Sequence, residues 1–331
     1  MARLMDRVHA GGDCTEDRII VRKEWGDMSE DERRSFIDAC KCLHNAPSQT
    51  PPDIAPGARN RWDDFVVAHL LHTYDVHRSP WLIPFHRELL FQLEKALRDE
   101  CGYGGGLAYW DWPRYRDQPP EQWPMFDGSD TSLSGNGQAN TPSEGCSCIT
   151  DGPFADWKVN IGPVAGSHAC TPNPQDDGLG FNERCLERQW DLTMLENLTY
   201  DNMLHSIQDM NEANTFNTYI EMWPLGLHTI PHMFVLGTQV DVPASPSDPW
   251  FFFHHSALDR ASILWLYIDF DARVTTLPNA DAYNDMRTLF QSPPAPAIGM
   301  DDQIQLSPIF EGVRVGDVLD PTNGRYCYRY D

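Results

Sequence analysis

The sequence predicts one mainly α-helical domain with long loops and a few short strands. Apolar residues recur at helical spacing in several separate segments. Between residues 113 and 182, Gly, Pro, Ser, Asn and Asp are frequent, which indicates long loops with little regular structure. The chain has no internal repeat and no convincing linker, so residues 1–331 are expected to fold as a single domain.

Three helices are predicted in the N-terminal third. The first covers residues 29–43, where Ser29 and Glu32 have the spacing of a capping box. The second covers about residues 62–74. The third covers about residues 84–100, with a proline in its first turn and a glycine after its end, which are the usual places for these two residues.

The C-terminal half is predicted to be helical in two parts. Helical periodicity returns at about residues 186–222, and the segment "DPWFFFHHSALDRASILWLYIDF" follows. In that segment the apolar residues after His255 recur on nearly all sides, which indicates a buried helix. The tail from residue 271 resembles a loop, with short strand candidates at "GVRVGDVL" and "RYCYRY".

The charge balance excludes several classes of partner. The chain has 25 basic and 49 acidic residues, a net charge of −24 with neutral histidines. Such a field repels DNA, RNA and anionic membranes, so we expect no nucleic-acid and no membrane partner. A run of about 18 apolar residues, which a spanning helix requires, is also missing from the sequence.

The cysteines predict a secreted protein. Nine cysteines are many for a reducing compartment, and the pairs Cys40-x-Cys42 and Cys146-x-Cys148 are too closely spaced for a zinc knuckle. We therefore expect several disulfides and, because nine is odd, one remaining thiol. The N-terminus has no apolar region of signal-peptide type, so we expect that such a leader was removed or is not included in this sequence.

Eight of the twelve histidines fall in two groups. The members are His69, His72, His77 and His86 in the first group, and His228, His232, His254 and His255 in the second. Residues four apart share one face of a helix, so His228 and His232 can direct both rings at one ion. Pro231 allows this only if the helix begins close to His228.

The type of metal remains open at this point. The segment "HTIPH" lacks the glutamate of the zinc-protease motif H-E-x-x-H, and the Glu-x-x-His pairs of di-iron bundles are also missing. Ligation by imidazole alone suits copper, zinc, iron and nickel. Two sets of three histidines that face each other would leave open positions between two ions, where O2 or a substrate could bind.

Several motifs resemble those of type-3 copper proteins, and more closely the short fungal tyrosinases and catechol oxidases (polyphenol oxidases). The spacing His69-x7-His77-x8-His86 is similar to their CuA pattern. The segment from His228 to His232, with "DPWFFFHHSALDR" after it, is similar to their CuB pattern. Three shorter stretches also agree, namely "RKEW" (22–25), "YWDW" (109–112) and "YCY" (326–328).

This resemblance implies a four-helix bundle core that holds two copper ions, with O2 as co-substrate. The CuA half would cover about residues 60–112 and the CuB half about residues 186–270. The implied copper ligands are His69, His77, His86, His228, His232 and His255. His254 would be packed or hydrogen-bonded beside the site, and His72 would be a neighbour of the ligand face. Asp259 would either accept the free N–H of a ligand imidazole or form a salt bridge with a nearby arginine.

Members of the family oxidise o-diphenols to o-quinones, and tyrosinases also hydroxylate monophenols. Many tyrosinases hold a water between a glutamate and an asparagine that directly follows the first CuB histidine. Here Thr229 follows that histidine, and Glu221 is the nearest candidate glutamate, although it could equally be a surface residue of a helix. A hydroxyl reaches less far than an amide, so we expect strong diphenolase and weak or absent monophenolase activity on small phenolic substrates.

Further expectations follow from the same resemblance. Val242 matches the gate residue, and Met233 matches another position of the substrate pocket; either could equally be plain core. We group Phe251 with them as a pocket residue. Asp75 stands where several relatives have a cysteine linked to the second CuA histidine, so we expect no thioether. The chain ends three residues after Tyr328, so we expect no C-terminal lid domain.

Other functions fit parts of the pattern. A true tyrosinase, or an oxidase of o-aminophenols or methoxyphenols, would use the same ligands. An oxygen carrier of haemocyanin type would also use them, but such carriers cover the site with another domain that we do not find here. A zinc hydrolase would need a carboxylate base or bridge near the histidines, and none stands at a suitable spacing.

Overall fold

A central helix contacts three others in the computed structural model of the chain, which describes residues 14–139, 146–164, 171–221, 226–279, 297–306 and 308–331. Helix α3 (Leu82–Cys101) packs against α1 (Glu30–Asn45), α2 (Arg61–Val76) and α7 (Trp250–Ile268). The other α-helices longer than one turn in these ranges are α4 (Tyr200–Gln208), α5 (Ala213–Glu221) and α6 (Thr229–Val235). The prediction of a mainly helical fold is confirmed.

The N-terminal helices begin and end close to the predicted residues. At the start of α1, the Ser29 hydroxyl accepts from the Glu32 N–H at 3.2 Å, and the Glu32 carboxylate accepts from the Ser29 N–H at 2.8 Å. This is the capping box that the sequence predicted. At the end of α3, Gly102 adopts a left-handed φ of 72°, a conformation that glycine reaches without a steric penalty.

Helix α7 is buried, as predicted. Every residue from Trp250 to Asp259 is buried, including both histidines of the "FFFHH" segment. The helix packs against α3, α4 and the 3-10 segment Val242–Ser247. A histidine at this depth needs a hydrogen-bond partner or a ligand for each ring nitrogen.

The helical periodicity predicted for about residues 186–222 does not give an α-helix in the first part of this range. The region begins after a two-residue strand (Arg184–Cys185) and contains a 3-10 helix (Leu192–Asn197) before α4. Helix α4 begins at Tyr200 because the side chain of Thr199, its N-cap, accepts from the Asn202 N–H at 3.0 Å. The apolar periodicity was real, but it belongs to separate short elements.

Short strands join distant parts of the chain in pairs. Ile20–Arg22 pairs in parallel with Tyr328–Tyr330. Three antiparallel pairs have two residues in each strand: Gln138–Ala139 with Ser147–Cys148, Lys158–Val159 with Arg184–Cys185, and Gln303–Ile304 with Val313–Arg314. The strand predicted at "RYCYRY" is therefore confirmed. In "GVRVGDVL" only the first part is extended, and Val315–Val318 forms a helical turn instead.

Disulfides close the loops, as the cysteine count predicted. They join Cys14 to Cys327, Cys42 to Cys101, and Cys148 to Cys185; Cys146 is also disulfide-bonded. In the described ranges the one free thiol is Cys40, which is buried in α1. The bond between Cys42 and Cys101 joins the C-terminal ends of α1 and α3. No described helix is both long enough and apolar enough to cross a membrane.

A buried charge network connects both chain ends to the bundle. Arg22 in the first strand donates two hydrogen bonds of 3.0 Å to Glu94 of α3, and one of 3.3 Å to Asp259 of α7. Its guanidinium lies 3.6 Å from the ring centre of Tyr328 in the last strand. Asp259 also accepts from Arg87 of α3 at 2.6 Å. The network therefore links α3 and α7 behind the histidines.

Candidate metal centre

The first histidine triad lies where α2 ends and α3 begins. His69 lies within α2, His77 is its C-cap, and His86 lies near the start of α3. The ring centres are 5.0 to 5.3 Å apart, and each ring offers a nitrogen within 4.8 Å of the others. All three rings are buried. The sequence spacing of these histidines thus places them around one point in space.

Each ring of the first triad is held by a backbone carbonyl. The Nδ1 acceptors are the carbonyl oxygens of Pro243 for His69 (2.9 Å), Thr73 for His77 (2.9 Å) and Leu82 for His86 (2.7 Å). A carbonyl only accepts, so each Nδ1 carries the proton and each Nε2 keeps its lone pair. The Nε2 atoms of His69 and His86 are buried and have no partner among the residues that the structure describes. In this tautomer Nε2 is the nitrogen that can bind a metal.

The second triad combines a short helix with the buried one. His228 is the N-cap of α6, His232 lies within α6, and His255 lies in α7. Their ring centres are 4.8 to 5.5 Å apart, and the Nε2 atoms of His232 and His255 are 3.4 Å apart. Helix α6 begins at Thr229, so Pro231 falls in its first turn, where a proline is tolerated. The helix therefore begins close to His228, as the pairing of His228 with His232 required.

Side chains, not backbone carbonyls, hold two rings of the second triad. The Nδ1 of His228 donates to a carboxylate oxygen of Glu221 at 3.1 Å. The Nδ1 of His232 donates to the amide oxygen of Gln239 at 2.8 Å. In both cases the Nε2 lone pair remains available on the side of the ring that faces the triad.

The two triads face each other across a short gap. The rings of His86 and His255 stack with centres 4.2 Å apart, and those of His77 and His228 are 5.4 Å apart. Phe251 is buried between the triads, with its ring centre 4.0 Å from that of His255 and 5.1 Å from that of His69. The structure therefore places Phe251 among the histidines themselves.

The donor set fits two copper ions. Burial lowers the pKa of most of these imidazoles, and that of His77 falls to about 4, so the rings are neutral at neutral pH and can bind a metal. The same direction of pKa shift, with burial as its main cause, holds for His69, His86, His232 and His255. Among the described residues, neither group includes a carboxylate or a thiolate. Two sets of neutral imidazoles are suitable for a dinuclear copper centre.

His254 lies beside the second triad in a different orientation. Its Nε2 donates to the backbone carbonyl of His228 at 2.9 Å, and its ring stacks on Trp250 with centres 5.2 Å apart. Its Nδ1 is buried, has no partner in the described parts of the chain, and is close enough to the triad to belong to the same cluster. Unlike the triad rings with a known acceptor, His254 uses its Nε2 for a structural hydrogen bond.

Glu221 connects the second triad to the end of the first. Its carboxylate accepts from His228 and, at 3.3 Å, from the N–H of Arg78, which follows His77 and has a left-handed φ of 50°. The residue is buried, so its interpretation as a surface residue is wrong. Burial raises the pKa of Glu221, but the neighbouring imidazoles and hydrogen bonds outweigh burial and hold the pKa below its usual value.

Thr229 and the pocket candidates lie at the more open side of the centre. Thr229 is half-buried, and its hydroxyl donates to the backbone carbonyl of Glu221 at 3.3 Å. Met233 and Val242 are also half-buried, next to residues that hold or form the triads. His72 is half-buried and lies outside both clusters.

Observed bonds bear on two expectations from the sequence, the role of Asp259 and the thioether. The hydrogen bonds of Asp259 in the described structure go to arginines and tyrosines rather than to a histidine, so of its two possible roles the ion pair is the one present. The cysteines nearest to Asp75 in sequence, Cys42 and Cys101, are bonded to each other. Neither can therefore form the thioether, as expected.

Sequence reasoning missed Gln239 and Arg87. No motif marks Gln239, which lies seven residues after His232 and outside the helix that carries it. Arg87 directly follows His86, and this adjacency is the one weak signal for it in the sequence. Both residues act through partners that are distant in sequence or outside any periodic element, so periodicity does not reveal them.

Comparisons with known proteins agree with this geometry. The sequence profile of the tyrosinase family, described as the common central domain of tyrosinase, matches residues 59–268. All six triad histidines lie in that range. The tyrosinase-like protein orsC of Emericella nidulans is 36% identical over 293 residues, which cover 79% of this chain and 78% of that protein.

Two further relatives extend over nearly the whole chain. The N-acetyl-6-hydroxytryptophan oxidase ivoB of Emericella nidulans is 32% identical, with 96% of this chain and 94% of that protein covered. The structure of a polyphenol oxidase variant from Thermothelomyces thermophila matches with a TM-score of 0.90 at 34% identity, and the match covers 99% of this chain and 95% of that one.

Proposed function

The chain belongs to the tyrosinase family of type-3 copper oxidases, and from this premise we propose that it is a catechol oxidase with little monophenolase activity. In the proposed reaction, two o-diphenols and one O2 give two o-quinones and two waters. Each diphenol loses two electrons and two protons, and O2 takes up all four of each. Bound copper would supply the O2 activation that this oxidation needs.

We assign the copper ligands to the six triad histidines. His69, His77 and His86 would hold one ion, and His228, His232 and His255 the other. The support is the tautomer: wherever an Nδ1 acceptor is present, it leaves Nε2 free for the metal. We assign His254 to packing, because its Nε2 is bonded to the His228 carbonyl.

The single observation that carries the diphenol preference is the arrangement of Glu221 and Thr229. Both carboxylate oxygens of Glu221 already accept hydrogen bonds, from His228 and from Arg78. The Thr229 hydroxyl donates to a backbone carbonyl and offers no amide group. A water that deprotonates an incoming monophenol would therefore be held poorly. An o-diphenol is more acidic and depends less on such a water.

Two half-buried apolar side chains would form the wall of the substrate pocket. Met233 follows His232 of the second triad, and Val242 precedes Pro243, whose carbonyl accepts from His69 of the first triad. An aromatic ring would bury apolar surface against both side chains. We keep both as pocket residues, since neither is fully enclosed. Phe251, which contacts rings of both triads, would hold those rings in place from within rather than contact the substrate.

The first test compares two substrates on copper-loaded enzyme. We expect rapid O2 uptake on 4-tert-butylcatechol and little on tyrosol. The variant Thr229→Asn restores an amide next to the first histidine of the second triad, so it should raise the ratio of tyrosol to catechol oxidation about tenfold or more. Thr229→Val is the matched control, because it removes the hydroxyl without adding an amide. Comparable wild-type rates on both substrates would refute the proposal.

A second candidate substrate comes from a relative. The relative ivoB is named for the oxidation of N-acetyl-6-hydroxytryptophan, a phenol on an indole ring, and it aligns with 96% of this chain. A hydroxyindole therefore belongs in the same assay. Faster O2 uptake on N-acetyl-6-hydroxytryptophan than on 4-tert-butylcatechol would favour hydroxyindole oxidation as the function.

We also propose that the protein is secreted. The disulfide between Cys14 and Cys327 joins the two ends of the described chain, and further disulfides close the loops between them. Such bonds form and persist in oxidising compartments. Detection of the protein in culture medium, with Cys40 as the one cysteine that reacts with a thiol reagent after denaturation, would support this localisation.

A further inference from the structure

One short segment carries hydrogen-bond acceptors for both triads. In the 3-10 segment Val242–Ser247, the carbonyl of Pro243 accepts from His69 of the first triad at 2.9 Å. The carbonyl of Ser245 accepts from the amide nitrogen of Gln239 at 2.9 Å, and the amide oxygen of Gln239 accepts from His232 of the second triad. The same segment thus contacts one histidine of the first triad directly and one of the second through Gln239.

The segment is itself firmly held. The indole of Trp62 donates to the Pro246 carbonyl at 2.9 Å, and the indole of Trp157 donates to the Ser247 carbonyl at 3.0 Å. Two prolines remove backbone donors from the sequence "VPASPS", and most of the segment is buried. Its carbonyls therefore point at fixed side-chain donors, and Ser245 has little freedom to move away from Gln239.

This arrangement determines which end of the Gln239 amide faces His232. A carbonyl can only accept, so the amide nitrogen must lie toward Ser245 and the amide oxygen toward the histidine. The amide oxygen in turn can only accept, so His232 must carry its proton on Nδ1. Gln239 is about 1% exposed, so water does not offer an alternative partner.

We infer that Gln239 is a positioning residue that selects the metal-binding tautomer of His232 and thereby retains the second copper ion. A free neutral imidazole can place its proton on either nitrogen, and a proton on Nε2 blocks coordination. The first triad does not depend on this residue. Loss of the amide should therefore weaken the second site and leave the first one unchanged, whichever phenol the enzyme oxidises.

The inference rests on the assignment of His232 as a copper ligand, and the first test needs neither copper nor activity. Nitrogen-15 spectra of copper-free protein, with His232→Gln to identify the signals, report which nitrogen of His232 is protonated. In the wild type we expect the proton on Nδ1. In Gln239→Met, which has similar volume and only a weak thioether acceptor in place of the amide oxygen, we expect the proton to move toward Nε2. A wild-type His232 protonated on Nε2 overturns the inference without any variant.

The second test measures copper retention against a chelator of known affinity. In Gln239→Met we expect one of the two ions to bind about 10- to 100-fold more weakly and the other to stay. The matched control is Gln92→Met, the same substitution at a half-buried position of α3 whose amide donates to Glu88 and not to a histidine; it should retain both ions. Unchanged retention in Gln239→Met, or an equal loss in both variants, overturns the inference. Failure to oxidise catechols, with the tautomer and retention as expected, would instead refute the proposed function alone.

Discussion

The two histidine triads have the same donor atoms but are held by different kinds of group. In the first triad all three Nδ1 acceptors are backbone carbonyls. In the second, the two acceptors that the structure identifies are the side chains of Glu221 and Gln239. A backbone carbonyl survives any substitution that keeps the fold, whereas a side-chain acceptor is lost in one mutation. The second site is therefore the one whose properties sequence changes can tune.

The triads also differ in how far they are enclosed. The histidines of the first triad are at most 3% exposed, and their neighbours in α2 and α3 are mostly buried. In the second triad His232 is half-buried, and the half-buried Thr229 and Met233 lie beside it. Substrate would therefore approach from the side of α6. The site with tunable acceptors would then also be the one that a substrate reaches first.

The largest expected effect comes from Asp259→Asn, which should affect both triads together and so remove the difference between them. Asp259→Asn removes the carboxylate that Arg87 of α3 pairs with, and leaves a buried guanidinium without its counter-charge. Breaking a buried pair in this way costs about 3 to 5 kcal/mol. Because α3 carries a histidine of the first triad and α7 one of the second, both copper ions should be lost to a similar extent. Thermal unfolding and copper analysis measure the two effects.

The control for this prediction is a pair on the surface. Glu30→Gln removes the partner of Arg34 in an exposed ion pair of α1, and such pairs contribute little to stability. It should leave the melting temperature and the copper content close to those of the wild type. Loss of a single copper ion in Asp259→Asn would contradict the view that this network serves both triads.

The next prediction concerns the scaffold of the first triad and its dependence on pH. Burial raises the pKa of Asp63, in the first turn of α2, to about 6. Its folded pKa is above its unfolded pKa, so its contribution to stability is complete below about pH 4 and is lost as the pH rises through about 6. Asp63→Asn imitates the protonated form. Relative to this variant, copper-free wild type should lose up to about 3 kcal/mol of unfolding free energy over that range.

Denaturant unfolding of both copper-free proteins at several pH values tests this prediction. The difference between the two proteins is informative, because other titrating groups contribute equally to both. The difference should grow as the pH rises and become constant above about pH 7. Parallel curves for wild type and Asp63→Asn would show that burial of this carboxyl group does not shift its pKa.

The smallest effect sharpens the contrast between the acceptors. Glu221→Gln keeps an acceptor for His228 but removes its charge, so copper affinity at the second site should fall about tenfold. The matched change in the first triad is Thr73→Val. It removes a hydroxyl near His69 but keeps the Thr73 carbonyl that holds His77, and so should leave that site unchanged. Chelator competition on both variants measures the two affinities. Equal losses at the two sites would contradict the contrast.

Local signals in the sequence predicted most of the helices and the position of the histidines. The capping pair at Ser29 and the glycine after α3 lie where the chain itself sets helix ends, and both were correct. The spacing of His228 and His232 placed both rings on one face of α6. These features depend on residues a few positions apart, where the helical period determines the geometry.

Features that depend on distant residues were not predictable in this way. Gln239 faces His232 only because Ser245 holds its amide, and no periodic pattern links these three positions. Likewise, the sequence left two roles open for Asp259. The choice between them depends on Arg87, which is 172 positions away and meets Asp259 only once α3 packs on α7.

The bond between Cys14 and Cys327 has a topological consequence. It joins positions 313 residues apart, so nearly the whole described chain forms one covalent ring. A protease that cuts the exposed loop near residues 173–177 would open this ring without dividing it. The nicked molecule would migrate as one species on a non-reducing gel and as two after reduction. Both triads would remain in one covalently linked molecule, in which the first and last strands are still paired.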